Sequence, residues 1–184
     1  MYSVLNIKKY LNEYKNLIDS DNSAEKLNDL FIHLSKSNKN IFIFGNGGSA
    51  AIADHFAVDM TKNANKRTFS LNTAPLITCL SNDYGYEMWM QKALEMYAEN
   101  GDTVFLISSS GNSSNVVNAC KYANSKNMKT ITFTGFDTNN LLKKNGSINF
   151  WVNSKSYNVV ENIHQIWILS LVDLIIGKSE YSAS

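Results

Sequence analysis

Apolar residues recur at helical spacing in the first forty positions and in short continuous runs after them. The spacing predicts two helices before residue 38, the first on residues from Leu5 to Ile18 and the second on residues from Leu27 to Leu34. From residue 40 onward, apolar runs typical of buried parallel strands alternate with helical segments. Strands are predicted at 40–44, 76–80, 103–107, 130–133 and 148–152, and helices at 49–63, 84–98, 113–125, 139–144 and 159–176.

This alternation predicts an α/β fold in which helices cover both faces of a parallel sheet. The chain holds 184 residues with one proline and no glycine- or serine-rich linker, so we expect one domain over residues 1–184. The formal net charge is +1, and lysine and arginine are not clustered as in a nucleic-acid-binding face. No nucleic-acid partner is therefore expected.

The N-terminus, the apolar runs and the cysteines together favour a cytoplasmic protein. Residues 1–10 lack the apolar stretch of a signal peptide, and the apolar run at 166–176 is too short to span a bilayer. Cys79 and Cys120 have neither metal-binding spacing nor a disulfide framework, so both are predicted as small core residues. No membrane partner is expected.

Two predicted strands end in loops of small polar residues that lead directly into helices. The loops read GNGGSA at 45–50 and SSSGNS at 108–113. Each loop alone is more typical of a tight turn with a capped helix. Two such loops at the carboxyl ends of parallel strands instead favour a small phosphate ester, because backbone N–H groups and helix N-termini attract anions. Neither loop has dinucleotide or P-loop spacing, so no nucleotide is expected.

Five motifs follow one another between about residue 38 and residue 176. They are FGNGGSAAIADHF, SNDYGYE, ISSSGNSSNV, VNSKS and VENIH. In this order they resemble the phosphoheptose (sedoheptulose 7-phosphate) isomerases of the sugar isomerase, or SIS, superfamily. The resemblance implies a single SIS domain with a flavodoxin-like sandwich and a phosphosugar substrate. It also implies a homotetramer with active sites between subunits, and an interface role for the helical segment at 1–38.

The resemblance also implies roles for individual residues. Eight positions match residues of the family that contact the sugar or its phosphate: Asn46, Gly47, Ser49, Asp83, Ser108, Ser109, Ser110 and Ser113. His55 matches a zinc ligand. Asp59 stands where the family has a glutamate that binds the metal and transfers the proton. The resemblance therefore makes Asp59 the expected catalytic base.

Two positions on the last predicted helix depart from the family pattern. The isomerases commonly have glutamine and, eight residues later, histidine, where this chain has Glu161 and Leu169. Leucine can neither bind a metal nor move a proton, so the histidine role is missing from its usual position. Glu161 and His164 are the titratable residues nearby that could act as the acid in its place.

A divalent metal, zinc in the family, is a further expectation. Helical spacing puts His55 and Asp59 one turn apart on one helix face, and with Glu161 they form a candidate three-ligand site. The alternative is that Glu161 is a solvated or capping carboxylate near the start of its helix and that His164 is a hydrogen-bonded core residue.

The expected reaction is aldose–ketose isomerisation of sedoheptulose 7-phosphate to D-glycero-D-manno-heptose 7-phosphate, a step toward surface polysaccharide. It moves a proton between C1 and C2 through an enediol, so it needs a base and a group that polarises the carbonyl oxygen. Two alternatives stay open. One is a regulator that binds a phosphosugar or takes part in replication initiation without catalysis, which Leu169 favours. The other is an isomerase of a different phosphosugar.

Overall fold

Helices and strands alternate along the chain in the computed structural model, which describes residues 6–180. The elements are α1 (Ile7–Ile18), α2 (Ser23–Lys36), β1 (Ile41–Phe44), α3 (Gly48–Lys62), β2 (Thr68–Phe69), α4 (Ala74–Tyr84), α5 (Trp89–Tyr97), β3 (Thr103–Ser108), α6 (Ser114–Ser125), β4 (Lys129–Thr134), α7 (Leu141–Asn145), β5 (Ile148–Trp151) and α8 (Tyr157–Ile176). Leu5, where the first helix was predicted to begin, lies outside the described residues.

The five strands form one parallel sheet in the order β2-β1-β3-β4-β5. This is the flavodoxin-like order, in which the direction of strand addition reverses between β1 and β3. The carboxyl ends of β1 and β3 are neighbours, with Phe44 opposite Leu106. The predicted α/β sandwich is therefore confirmed, and both polar loops lie at its topological switch point.

Helices cover the sheet on both faces because the central strands are apolar on both faces. Alternate residues of β1 point to opposite cores, Ile41 and Ile43 to one and Phe42 and Phe44 to the other. The first core lies under α2, α3 and α8, and the second under α4, α5, α6 and α7. Helices α3 and α6, which follow the two polar loops, therefore leave the sheet on opposite faces.

Residues 76–80 form the middle of helix α4, so the strand predicted there is wrong. Thr73 adopts an extended conformation as the N-cap, and Pro75 fits the first helical turn, where no N–H is needed. Within this run Leu80 is buried, whereas Thr78 and Cys79 are exposed, as on a helix that covers a core with one face. A five-residue apolar run cannot be assigned to a strand or a helix by periodicity alone.

Three smaller differences follow from local geometry. Strand β2 has only two residues, which is too short to give a periodic signal. The helix predicted at 84–98 begins at Trp89, because Gly85 at φ 90° ends α4. Cys79 is exposed, so its predicted place in the core is wrong, whereas Cys120 is buried as predicted.

Helix α8 has 20 residues and is apolar enough to cross a membrane by length and composition. The apolar run at 166–176 is thus part of a longer segment. A core helix passes the same test, and Ile163, Trp167 and Leu171 are buried in the first core. We therefore interpret α8 as a core helix.

A row of four phenylalanines holds the first core together. The ring centroid of Phe105 lies 5.1 Å from that of Phe56 and 6.2 Å from that of Phe133, which lies 4.7 Å from that of Phe150. We expect Phe105→Ala to lower the free energy of unfolding by about 3 to 5 kcal/mol, because its packed neighbours cannot close the cavity. Urea denaturation followed by circular dichroism measures this change.

The matched control is Phe69→Ala. Phe69 lies on the edge strand, is 42% exposed and stacks against Phe42. We expect this variant to lose less than about 1.5 kcal/mol. Equal losses in the two variants would contradict the central position assigned to Phe105.

Candidate phosphate-binding site

A small cavity opens at the switch point between β1 and β3. Its volume is about 90 Å³. Both polar loops and the first turns of α8 line it, through Asn46, Ser49, Ile107, Ser108, Ser109, Ser110, Ser113, Tyr157 and Glu161. Pockets that enclose a whole small molecule are roughly 300 to 1,000 Å³. This cavity is therefore suited to a phosphate-sized group, with the remainder of any ligand extending beyond it.

The serine loop forms one wall of the cavity. Gly111, at φ 65°, makes the turn that lets the chain pass from β3 into α6, and Ser113 is the N-cap residue of α6. The hydroxyl oxygens of Ser108 and Ser113 lie 3.1 Å apart. The buried Ser109 hydroxyl has no hydrogen-bond partner among the described residues. A buried hydroxyl without a partner is unfavourable, and a phosphate oxygen in the cavity would satisfy it.

The first loop forms the opposite wall and begins helix α3. A side chain at Gly45 would come within 2.7 Å of Ser49 atoms, so this tight turn requires glycine. Gly47 adopts φ 55°, a conformation that favours glycine, and is exposed in the loop. The turn directs the buried Ser49 and the N-terminus of α3 toward the cavity. Two helix N-termini, those of α3 and α6, thus lie at one small opening.

Glu161 supplies the carboxyl group of the cavity. A Cβ atom at Gly48 would overlap this carboxylate and lie 2.9 Å from its Cδ atom, so the side chain lies directly against the first turn of α3. Burial raises the pKa of Glu161, because removal from water disfavours the charged form. The carboxyl group is therefore poised to exchange a proton closer to neutral pH than an exposed glutamate.

The amide of Asn46 is held by two residues that sequence reasoning did not single out. Asn46 and the buried Asn115 exchange hydrogen bonds of 3.1 and 2.9 Å, and the Tyr86 hydroxyl donates to Asn46 Oδ1 at 3.0 Å. The position of Asn115, two residues after Ser113 in the same motif, is the signal that could have found it. Tyr86, from the loop between α4 and α5, likewise stands in a quoted motif, SNDYGYE, which is the signal that could have found it.

The structure does not bring the three predicted zinc ligands together. His55 Nε2 lies 3.2 Å from Asp59 Oδ2, but both lie farther along α3 than Gly48, against which Glu161 rests. His55 is seven residues beyond Gly48, roughly 10 Å along the helix axis. The described residues contain no group of three His, Cys, Asp or Glu side chains that could hold a metal. One copy of the chain therefore does not fit a three-ligand zinc site.

The same geometry separates Asp59 from the cavity. Asp59 lies eleven residues beyond Gly48 on α3, and its carboxylate contacts His55 and accepts from Asn63 Nδ2. Asp83 is exposed at the end of α4, accepts from Asn82 Nδ2 and does not line the cavity. Neither carboxylate reaches the serine loop of its own chain.

His164 is a core residue, as the alternative sequence interpretation stated. It is fully buried, and its Nε2 atom lies 3.0 Å from the carbonyl oxygen of Thr134. Burial lowers the pKa of His164 to about 4, so the ring is neutral near pH 7. It does not line the cavity, and we no longer assign it the acid role. Leu169 packs against the same core, so the histidine role of the family is absent there.

The fold and the two loops define an α/β protein with a small polar cavity at its switch point. Comparisons with known proteins agree with this fold. The family model of the SIS domain matches residues 7–135. The phosphoheptose isomerase of Fusobacterium nucleatum is 30% identical over 172 residues, which cover 91% of this chain and 86% of that protein. The chain therefore belongs to the SIS-domain family.

Two solved structures extend this comparison. The phosphoheptose isomerase of Neisseria gonorrhoeae has a TM-score of 0.77 and 26% identity, with 91% of each chain covered. That of Francisella tularensis has a TM-score of 0.80 and 23% identity, with 97% of this chain and all of the other covered. The second likeness concerns the fold alone.

The contact between Gly48 and Glu161 can be tested without an activity assay. We expect Gly48→Ala to push the carboxylate out toward water and to return the pKa of Glu161 toward its ordinary value. The measurement is a pH titration by ¹³C NMR of labelled glutamate, with the Glu161 signal assigned from Glu161→Gln.

The control is the same substitution at the other end of α8. Gly177→Ala meets no atom of the described part of the chain within 4 Å, and its strain at φ 82° is far from the cavity. We expect it to leave the pKa of Glu161 unchanged. An unchanged pKa in Gly48→Ala would contradict the burial of Glu161 against α3.

Proposed function

We propose that this chain is an aldose–ketose isomerase that converts sedoheptulose 7-phosphate to D-glycero-D-manno-heptose 7-phosphate. The observation that carries the proposal is a carboxyl group of raised pKa, Glu161, in the same cavity as a phosphate-sized serine loop. Membership of the SIS-domain family and the similarity to phosphoheptose isomerases over most of the chain support the same reaction class.

The phosphate binds in the serine loop. Hydroxyl groups and backbone N–H groups of residues 108–113, with the N-terminus of α6, surround its oxygens without a cation. The unpartnered hydroxyl of Ser109 gains an acceptor there. The sugar then extends outward past Asn46, Ser49 and Glu161, which form the remaining walls.

Glu161 transfers the proton between the two carbons. In its ionised form it takes a proton from C1 of the ketose, and the electron pair of that bond forms the C1–C2 double bond. The electron pair of the C2=O π bond moves to the C2 oxygen, which takes a proton from solvent as the enediol forms. The C1 hydroxyl then gives its proton to solvent and becomes the aldehyde, while the protonated Glu161 returns a proton to C2. A raised pKa suits a group that must both accept and return a proton near neutral pH.

We place the enzyme in the cytoplasm as a homotetramer that serves surface-polysaccharide synthesis, either lipopolysaccharide or capsule. Helix α1 supports an assembly, because Ile7 and Leu11 are 58% and 53% exposed and another subunit could cover them.

The cavity is too small for a heptose, so a second chain could complete the sugar site with a residue such as the exposed Asp83. Zinc enters no step proposed here.

Leu169 supports one competing function, a phosphosugar sensor without catalysis. It stands where the resemblance implies a histidine and packs, partly buried, against the first core, so this position has no proton-transfer group. A sensor would bind the phosphate in the same serine loop and leave the C1 hydrogen of the sugar in place. Hydrogen exchange therefore separates the two functions.

The decisive variant is Glu161→Gln, which keeps the size of the side chain and removes its ability to take a proton. We expect exchange of the C1 hydrogen of sedoheptulose 7-phosphate in heavy water, followed by ¹H NMR, to fall at least about 100-fold. Binding of inorganic phosphate, followed by calorimetry, should be kept or strengthened, because a carboxylate in the cavity is removed.

Two further variants accompany this measurement. Glu25→Gln makes the same change at an exposed position on α2 and should leave the exchange rate unchanged. Asp59→Asn removes the base expected from the sequence and should cost less than Glu161→Gln. A loss confined to Asp59→Asn would overturn the role of Glu161, and a wild-type protein that binds phosphosugars without any exchange would be a sensor.

The pH profile of the isomerase should report the raised pKa of Glu161. The base acts in its ionised form, so kcat/KM should fall as the pH drops through this pKa, above the ordinary glutamate value of 4.5. Gly48→Ala should move this fall of kcat/KM at low pH, the acid limb of the profile, to lower pH. The sugar phosphate itself titrates at about pH 6, so the acid limb is assigned to Glu161 by its shift in Gly48→Ala, a change that leaves the titration of the substrate unaltered. An acid limb that stays in place in Gly48→Ala would contradict the assignment.

A further inference from the structure

The geometry points to Tyr86 as a positioning residue that, with Asn115, turns an N–H of Asn46 toward the reacting oxygen of the sugar. This inference rests on the proposed isomerase function. It supplies the second group that the reaction needs, a donor that polarises the carbonyl oxygen, in a chain that has Leu169 where the resemblance implies a histidine.

A backbone N–H fixes the orientation of the Asn115 amide and, through it, that of the Asn46 amide. The N–H of Val116 donates to Asn115 Oδ1 at 3.0 Å, and a backbone N–H can only donate. This fixes which end of the Asn115 amide is oxygen. Asn46 Nδ2 therefore donates to Asn115 Oδ1 at 3.1 Å, and Asn115 Nδ2 donates to Asn46 Oδ1 at 2.9 Å. The orientation of the Asn46 amide follows from the chain of bonds.

The Tyr86 hydroxyl completes this arrangement. It donates to Asn46 Oδ1 at 3.0 Å, so both lone pairs of that oxygen are occupied. One of the two N–H groups of Asn46 is used by Asn115, and the other has no partner among residues 6–180 and remains for a ligand. Asn46 lines the cavity, so it presents a donor there and no acceptor.

The loop that carries Tyr86 is itself held in place. Gly85, at φ 90°, lets the chain leave α4, and the N–H of Met88 donates to the Gly85 carbonyl oxygen at 3.0 Å. Asn118 on α6 donates to the carbonyl oxygen of Glu87 at 3.1 Å. Tyr86 therefore approaches Asn46 from a loop fixed to the same helix that carries Asn115.

An N–H group held in one orientation, as in Asn46, binds most strongly to a ligand oxygen that gains negative charge. The carbonyl oxygen of the sugar does so when Glu161 takes a proton from the neighbouring carbon, and Asn46 and Glu161 line one cavity. Hydrogen-bond donors held in advance at a developing oxyanion lower the barrier without being reoriented during the reaction. The serine loop is left to bind the phosphate.

The test is Tyr86→Phe, which removes one hydroxyl and keeps the ring. We expect kcat for the isomerisation to fall about five- to tenfold, with KM and the Kd for inorganic phosphate each changed less than about twofold. In an Asn46→Ala background the same substitution should cost nothing further. Tyr84→Phe is the control, because Tyr84 is exposed on α4 and its hydroxyl makes no hydrogen bond to the described residues.

Weaker phosphate binding with unchanged kcat in Tyr86→Phe would overturn the inference, and so would additive losses in the double variant. A second measurement is independent of activity. Side-chain amide signals of Asn46 and Asn115 in ¹⁵N-labelled protein should be distinct, and Tyr86→Phe should change the Asn46 pair. If wild type shows these signals but isomerises nothing, the proposed function fails while the fixed amide stands. An Asn46 pair that Tyr86→Phe leaves unchanged would refute the fixed amide itself.

Discussion

The pairing of β1 with β3 is the constraint on which the site depends. These strands are neighbours in the sheet, although the 58 residues from 45 to 102 separate them along the chain, and the helices that follow them leave on opposite faces. A gap therefore opens between the loops at 45–50 and 108–113. Two helix N-termini point into this gap, and their partial positive charges favour an anion. Strand order thus makes this gap favourable for an anion, independently of any particular side chain.

Helix α8 adds a carboxyl group, that of Glu161, to the cavity at the switch point. It packs in the first core through residues such as Ile163 and Trp167, and this packing brings Glu161 against the first turn of α3. Three residues later, His164 is already enclosed by the sheet. Glu161, which lines the cavity, and His164, which lies in the core, are three positions apart on α8, yet the two titratable groups differ in their access to a ligand.

The sequence predicts those strands, helices and loops that depend on hydrophobic periodicity and on local turn chemistry. The apolar runs of β1, β3, β4 and β5 and the two polar loops were predicted, whereas α4 was misassigned because its apolar run is five residues long. Helical spacing correctly paired His55 with Asp59, but spacing cannot state which other helix faces that pair. The bond between Tyr86 and Asn46 spans forty residues and has no pattern in the sequence.

The carboxyl group of Glu161 and a phosphate bound in this cavity affect each other electrostatically. An ionised Glu161 beside a bound phosphate would be repelled, so ligand binding adds to the effect of burial and raises the pKa of Glu161 further. In the proposed isomerase this repulsion is useful, because it brings the carboxyl group of Glu161 closer to the pH at which it can both take and return a proton. The proposed role of Glu161 and the presence of Leu169 are therefore coupled, because a leucine cannot move a proton and a carboxyl group can.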